Sequence, residues 1–413
     1  MNYMKTRKTT AFSLAVFASG LAFTCAPIAE AASAPATAYV YVQTTNGVSV
    51  YDATAAGQLT LVKGSPFATT GQMEGINGKY LISVGTNYLH TYSVGSNGAV
   101  GSQVSQINTQ SYGGGSCGAT TGNGSVLDHS GKYLYVSLFT YINPDQTNCA
   151  AWQSYQIGSN GSLTFLGDVE YSDFINGWAE PSTVPTISSN DNFAYGTFQE
   201  WDGVALNYNL FSTFSRASNG VLEINAKFQE TDPVGRPGYF GGESFTPGGW
   251  FPLLAQADPS NHLAALLYQA SNPSGCICPV TSTPQLASYT INTSTGSIVS
   301  TNSYTNMPTP SLTRITGMKM SPSGKLIALG GMGIQIFHFN GASPLTSYSA
   351  VLLPTTTIDQ LGWDNNNHLY ALSYSAQKLY VYNVTPTSIS AVSGSPYSVG
   401  AGYGLKGLIV VPK

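Results

Sequence analysis

Leu127-Asp-His-Ser-Gly-Lys-Tyr-Leu-Tyr-Val-Ser-Leu138 decides the fold, because the same element returns along the whole chain. It reads GINGKYLISV at 75–84, SSNDNFAYGTF at 188–198, ADPSNHLAALLY at 257–268, MSPSGKLIALGG at 320–331 and DNNNHLYALSY at 364–374. Each copy is a tight polar turn of Asp, Asn, Ser and Gly running into an alternating aromatic and aliphatic strand. A third strand ending near a Tyr, a Gly-centred turn and a fourth strand follow. A unit of this size, all strand and without helical periodicity, cannot bury both faces alone. Stacked copies form a propeller.

The first unit is incomplete. Tyr39-Val40-Tyr41-Val42 matches the second strand of the other copies, and Val48–Tyr51 and Leu59–Val62 supply the third and fourth. Its missing first strand is expected at the far end, in 404–411. A C-terminal strand completing the N-terminal blade closes the ring and removes an exposed sheet edge. The reading is an all-β chain: a single seven-bladed β-propeller of four-stranded antiparallel blades over 39–413, after a linker at 32–38.

Composition agrees. Gly 45, Tyr 26 and only 8% charged residues describe a turn-rich β protein, well below the usual charge content of about 25%. The N-terminus reads as a signal peptide over 1–31. Lys5, Arg7 and Lys8 are basic, Ala11 to Phe23 is apolar, and Ala29-Glu30-Ala31 is a small-x-small cleavage site. The apolar run is too short to span a bilayer. Periplasmic or extracellular residence is therefore expected. Losing Lys5, Arg7, Lys8 and Glu30 from the 15 basic and 19 acidic residues leaves 12 and 18, about −6 net. Nucleic acid and anionic membranes need clustered cations and are poor partners. A monomer is expected.

Four cysteines remain beyond residue 31. An even number in an oxidising compartment points to disulfides. Cys117 leads into blade three and Cys149 lies in that blade's expected long loop, so they are the first pair; Cys276 and Cys278 are the second. Two neighbouring cysteines do not make a zinc site without further ligands.

Strand parity places function. Connections from first to second and from third to fourth strand share one face, and here they are short Gly and Asn turns. The opposite face receives the expected long loops at 107–124, 137–152, 171–186, 198–207, 231–254, 268–286 and 305–313. Long loops on a rigid scaffold carry binding residues. This face is expected to hold Trp178, Trp201 and Trp250, with Trp152 and Trp363 near strand ends, and Tyr141, Tyr171, Tyr239, Phe240 and Phe251. Asp145, Asp173, Glu180, Glu200, Asp202, Glu230, Asp232 and Glu243 accompany them. Flat apolar rings among hydrogen-bond acceptors suit a carbohydrate or another polar-apolar ligand. Trp178, Trp201, Asp202, Tyr239 and Trp250 are the candidate ligand-binding set.

Catalysis is less well supplied. Glu180 with Glu200, or Glu200 with Asp202, would have to stand at a defined separation to cleave a glycoside. Arg236 and Arg314 are the cations available to orient a carboxylate or oxyanion. His129, His262 and His368 fall in turns of the plain face, and His90 and His338 inside third strands. No histidine base is expected among the long loops. A divalent cation held by Glu74, Glu180 or Asp359 has no supporting ligand spacing, so no cofactor is expected.

Tyr39-Val40-Tyr41-Val42-Gln43-Thr44 with Val48–Asp52, and the SPSGKLIAL and HSGKYLYVSL segments, resemble the YVTN-type repeats of seven-bladed lactonase-like propellers. That family includes bacterial 6-phosphogluconolactonases. The resemblance covers 39–413 and implies the same fold, with lactone or ester hydrolysis as the activity to weigh. The Gly-Pro-Arg-His type segment of its lactonases is not present. The matching positions read Thr183-Val184-Pro185-Thr186, Phe251-Pro252-Leu253-Leu254 and Arg314-Ile315-Thr316-Gly317. The sequence thus favours an exported binding propeller working through the long loops of blades three to five, with a lactonase-type hydrolase as the alternative.

Overall fold

The six recurring turns share one piece of backbone chemistry in the structure, a computed structural model. It describes residues 35–111, 121–142, 147–170, 178–181, 184–201, 210–231, 233, 250–269, 283–400 and 407–413. At the head of each turn a side-chain oxygen accepts the first N–H of the second strand. The acceptors are Asn77, Asp128, Ser188, Asp258, Ser321 and Asp364, and the donors Tyr80, Tyr133, Phe193, His262, Leu326 and His368, at 2.7–3.1 Å. A later residue of each turn takes a left-handed backbone: Gly78, Gly131, Asp191, Asn261, Gly324 and Asn367, with φ between 58° and 84°. Only Gly, Asn and Asp adopt that conformation readily, which is why the repeat is written in those letters.

Each turn joins the two inner strands of a sheet, and there are seven sheets. Among the described residues there is no helix. Blade two shows the plan, from the inside outward: Gln72–Ile76, Tyr80–Val84, Tyr88–Val94 and Val100–Asn108, all antiparallel. In blade six the second and third strands are one continuous element, Leu326–Asn340. It doubles back at Gly331–Gly333, since Phe339 N donates to Lys325 O at 2.9 Å. Blade five gains an extra outer strand, Glu230–Thr231, parallel to Ile298–Ser300.

Blade one is completed as the sequence suggests. Leu408–Pro412 pairs antiparallel with Ala36–Thr44, placing Val410 opposite Val40. Closure leaves seven interfaces between consecutive blades, and seven apolar clusters fill them. Val40 and Val42 of blade one meet Tyr370 and Leu379 of blade seven. Tyr39 and Tyr41, on the opposite face of the same strand, meet Met73 and Leu81 of blade two. This two-sided burial explains the unbroken apolar character of the second strands.

Aromatic rings bind blade to blade at six of the seven seams; in blade six the position is Leu326. Tyr80, Tyr133 and Phe193 begin second strands, Tyr39 holds the equivalent place within Ala36–Thr44, and the four rings lie over Gly161, Gly220, Gly296 and Gly98 in the outer turn of the following blade. A Cβ on any of these glycines would sit 2.1–2.7 Å from the ring. His262 and His368 take the same position and lie over Gly341 and Gly57. Histidine in these two repeats is thus a packing residue of the blade seam.

Candidate functional site

The inner strands line the channel, and the run of them from blade two to blade six is irregular. Register slips bracket Glu74 in blade two, residues 122–124 in blade three, Leu253 in blade five and residues 314–316 in blade six. Blade four has two short inner pieces, Trp178–Pro181 and Thr186–Ile187, instead of one strand. The inner strands of blades seven and one, Gln360–Trp363 and Leu408–Pro412, keep regular register. All the breaks lie upstream of the capped turns, toward the face of the long connections. Bulges bend a strand and re-aim its side chains and backbone groups, and they gather beside functional sites.

The channel is a cavity of about 810 Å³ that touches the inner strands of all seven blades, a volume typical of small-molecule sites. The bulged Glu74 is buried, and its Oε2 accepts both the N–H and the hydroxyl of Ser125 at 3.2 Å. It thereby satisfies a backbone donor on the inner edge of blade three. Asp359 accepts the Tyr374 N–H at 2.7 Å. Thr186 Oγ1 accepts from Ala257 N at 2.9 Å, tying blade four to blade five. Arg314 has φ 53°, a left-handed backbone unusual for a long side chain, and is exposed at the break in blade six. Among the described residues no group of three His, Cys, Asp or Glu could hold a metal ion.

Several expected site residues fall into this region. Trp178–Pro181 pairs with the far end of Phe193–Trp201, so Trp178 stands opposite Trp201, Ala179 opposite Glu200 and Glu180 opposite Gln199. Trp250 opens the inner strand of blade five, opposite Gln269. Trp178, Glu180, Glu200, Trp201 and Trp250 thus occupy the long-connection ends of the inner ladders of blades four and five. Only their backbone is described. Asp202, Arg236, Tyr239, Asp145, Tyr171, Asp173, Asp232, Phe240 and Glu243 lie outside the described residues. So do Cys117, Cys276, Cys278 and the side chains of Cys149, Tyr141 and Phe251, and with them both expected disulfides.

Four expectations are corrected. The segment 137–152 is largely a long hairpin, Tyr133–Ile142 against Thr147–Ile157, rather than a loop. Trp152 is 1% exposed within its third strand, in the core between blades three and four. Trp363 precedes the turn at Asp364 on the plain face, where its Nε1 donates to Lys319 O at 3.1 Å. Glu230 belongs to the outer rim of blade five, far from the inner edge in strand order, and its carboxylate accepts the Tyr289 hydroxyl at 3.4 Å.

All five histidines have defined surroundings. His129 Nδ1 contacts Asp191 Oδ1 at 2.7 Å, His262 Nδ1 contacts Asp258 at 3.0 Å and His368 Nδ1 contacts Asp364 at 2.8 Å. His90 is buried with Nδ1 2.6 Å from the Thr70 hydroxyl, and His338 packs on Tyr348 at 4.3 Å between ring centroids. Burial pushes the Asp364 carboxyl up, but hydrogen bonds from His368 and Tyr370 and the charge of His368 outweigh it and hold it below the usual carboxylate range. These groups serve the seams between blades and the turns of the plain face.

Sequence reading missed the channel wall. Its signal is in the repeat itself: the residue two places before each turn-capping oxygen is Gly75, Val126, Thr186, Gln256, Lys319 or Gly362. Each of these lines the cavity.

No family model and no curated protein matches the chain. Solved structures do. A candidate 6-phosphogluconolactonase from Bacteroides fragilis is 12% identical with a TM-score of 0.56, covering 91% of this chain and 98% of its own. The periplasmic gluconolactonase PpgL of Pseudomonas aeruginosa is 13% identical with a TM-score of 0.55, over 91% and 99%. A protein from Lactobacillus plantarum is 12% identical with a TM-score of 0.56, over 91% and 98%. At these identities the likeness establishes the shared seven-bladed fold.

Proposed function

We propose that this is an exported propeller that binds a small polar ligand, such as a carbohydrate, at the long-connection mouth of its channel around blades three to five. The observation that carries the reading is the run of broken or bulged inner strands from blade two to blade six. A propeller needing only stability would keep those strands regular, as blades seven and one do. Breaks of this kind re-aim backbone groups, and they lie in the same half of the inner ladders as the backbone of Trp178, Trp201 and Trp250. Export is supported by the basic and apolar leader-like segment at 1–31.

Lactone or ester hydrolysis at the same mouth is the second reading, favoured by the fold shared with a gluconolactonase. The placement of all five histidines in seams, turns and outer strands weighs against it. One experiment separates the two. Purified protein is given glucono-δ-lactone and other small lactones while acid release is followed against a heat-treated control, and ligand binding is followed by calorimetry. Binding without acid release above the control supports the binding reading. Enzyme-dependent acid release replaces it with the hydrolytic one, and neither signal refutes both.

A further inference from the structure

The plain face is built at one level. Its inner turns are tied side by side: Asn77 Nδ2 donates to Gly131 O at 3.1 Å, His129 N to Asp191 Oδ1 at 3.0 Å, the Ser189 hydroxyl to Asn261 Oδ1 at 2.7 Å and Asn366 Nδ2 to Thr37 Oγ1 at 3.1 Å. The residue just before the first N–H donor of each second strand holds one place in this repeat. It is Lys79, Lys132 and Lys325 in blades two, three and six, and Asn192, Asn261 and Asn367 in blades four, five and seven. Repetition of one turn around the ring puts the three lysines in a common plane. Lys413 joins them where the inner strand of blade one ends, its N–H donating to Thr37 O at 2.9 Å. All four lysines are exposed.

The exposed charge of these turns is of one sign. Their acids are matched: Asp128, Asp258 and Asp364 are buried and accept turn N–H groups, and Asp191 is held by His129. Arg216 is paired with Asp128. The outer turns of the seven blades, at 55–57, 95–99, 158–162, 217–220, 292–296, 340–342 and 385–388, contain no charged residue. Two further acids lie toward this face: Asp52 of blade one, half-buried and within the field of Lys413, and Glu223 on the rim of blade four. Among the described residues, no hydrogen bond or ion pair engages the ammonium of Lys79, Lys132 or Lys325. That of Lys413 lies 5.3 Å from the centre of the Tyr39 ring.

The whole chain is acidic, at −4, which taken alone disfavours an anionic partner. Distance decides otherwise. A second strand such as Tyr133–Ile142, ten residues long, spans about 33 Å at about 3.3 Å per residue. Charge is screened beyond about 8 Å at physiological salt. Acids at the far face are therefore out of reach of a surface that meets the plain face.

We propose that the plain face docks flat on an anionic lipid bilayer, with the channel mouth turned away from it. This goes beyond the ligand-binding reading and does not depend on what the mouth binds. Ammonium groups make charge-assisted hydrogen bonds to phosphate, and basic side chains within a Debye length of an anionic leaflet each add to the attraction. Coplanar cations on a face of tight turns meet a planar array of headgroups all at once.

The test is sedimentation with vesicles of phosphatidylcholine alone and of phosphatidylcholine with phosphatidylglycerol in equal parts. Both the full chain and the chain from Ala32 are used, so that the apolar segment 1–31 is not mistaken for the docking face. At about 50 mM salt the protein should bind the anionic vesicles about tenfold more tightly or better, and the preference should vanish at about 500 mM. Lys79→Glu with Lys132→Glu should lower binding to the anionic vesicles about tenfold or more. Lys63→Glu with Lys378→Glu, an equal change of net charge on the long-connection side, should leave it unchanged. Melting curves establish that each variant is folded, and Lys79→Gln with Lys132→Gln, with a smaller loss expected, keeps the test valid should the glutamate pair unfold. Equal binding to the two kinds of vesicle, unchanged affinity in the folded Lys79 and Lys132 variants, or an equal loss in the Lys63 and Lys378 variant overturns the proposal. So does binding that disappears when residues 1–31 are absent. Capture by soluble polygalacturonate without sedimentation on vesicles overturns it in favour of an acidic polymer.

Discussion

His368 of blade seven lies against Gly57 of blade one, so closely that a Cβ on Gly57 would sit 2.8 Å from the ring. The contact is at the seam where the two ends of the chain meet. The imidazole is 3% exposed and bonded to Asp364, so it packs and satisfies a buried carboxylate at once. His368→Ala should cost about 2–4 kcal/mol, from the lost packing and the stranded acceptor. Gly57→Ala, at φ 76°, should cost about 1–3 kcal/mol. Both are read by denaturant melts, and neither should alter ligand affinity. Loss of affinity in a well-folded His368 variant would move the working site to the plain face.

Asp364 makes the seam sensitive to acid. Its carboxyl is held below the ordinary range in the folded protein, so the stability it contributes is present above the unfolded value of about 3.9. That stability is lost as pH falls through the lower folded value. Asp364→Asn should therefore melt earlier than wild type at pH 7, and the gap should narrow below pH 4 or so. A gap that stays constant from pH 7 to pH 3 would show that the carboxylate's charge does not matter.

Ring closure predicts intolerance of C-terminal truncation. Removing residues 404–413 deletes the strand paired with Ala38–Val42 and bares an inner edge. The truncated chain should aggregate or lose its cooperative transition. A soluble truncate with an unchanged melting temperature would refute the closure.

Alanine at Trp201 or Trp250 should weaken ligand binding by about 1–3 kcal/mol, the loss expected for an aromatic anchor, with the fold retained. Early melting at full affinity would instead make these rings packing residues. The outcome is read by titration and thermal melts on the same preparations.

The blades were legible because their turns need Gly, Asn or Asp at one place and an oxygen-bearing side chain at another. Gly131, Asp191 and Asn261 declare the turn whatever surrounds it. Closure was legible in the surplus strand expected at 404–411, of which the structure forms Leu408–Pro412. The breaks in the inner strands were not, because a bulge such as that at Glu74 shows only in the register between strands. Trp152 and Trp363 misled for a related reason. Strand parity says at which end a residue falls only when the strand limits are known, and the hairpin of blade three runs further than its composition suggests. The role of His262 and His368 was hidden because the sequence reading put them in turns of the plain face, whereas each begins a second strand and takes the place of a tyrosine ring in a seam.

The most direct test of the central claim is a crystal structure of the protein soaked with glucose and glucuronate, read for where ligand density falls. The account predicts density over the channel mouth bounded by Glu74, the Trp178–Pro181 ladder, Trp250 and Arg314. Density at the plain-face turns around His129 and Asp191, or an empty mouth in crystals soaked at concentrations that saturate binding in solution, would contradict it.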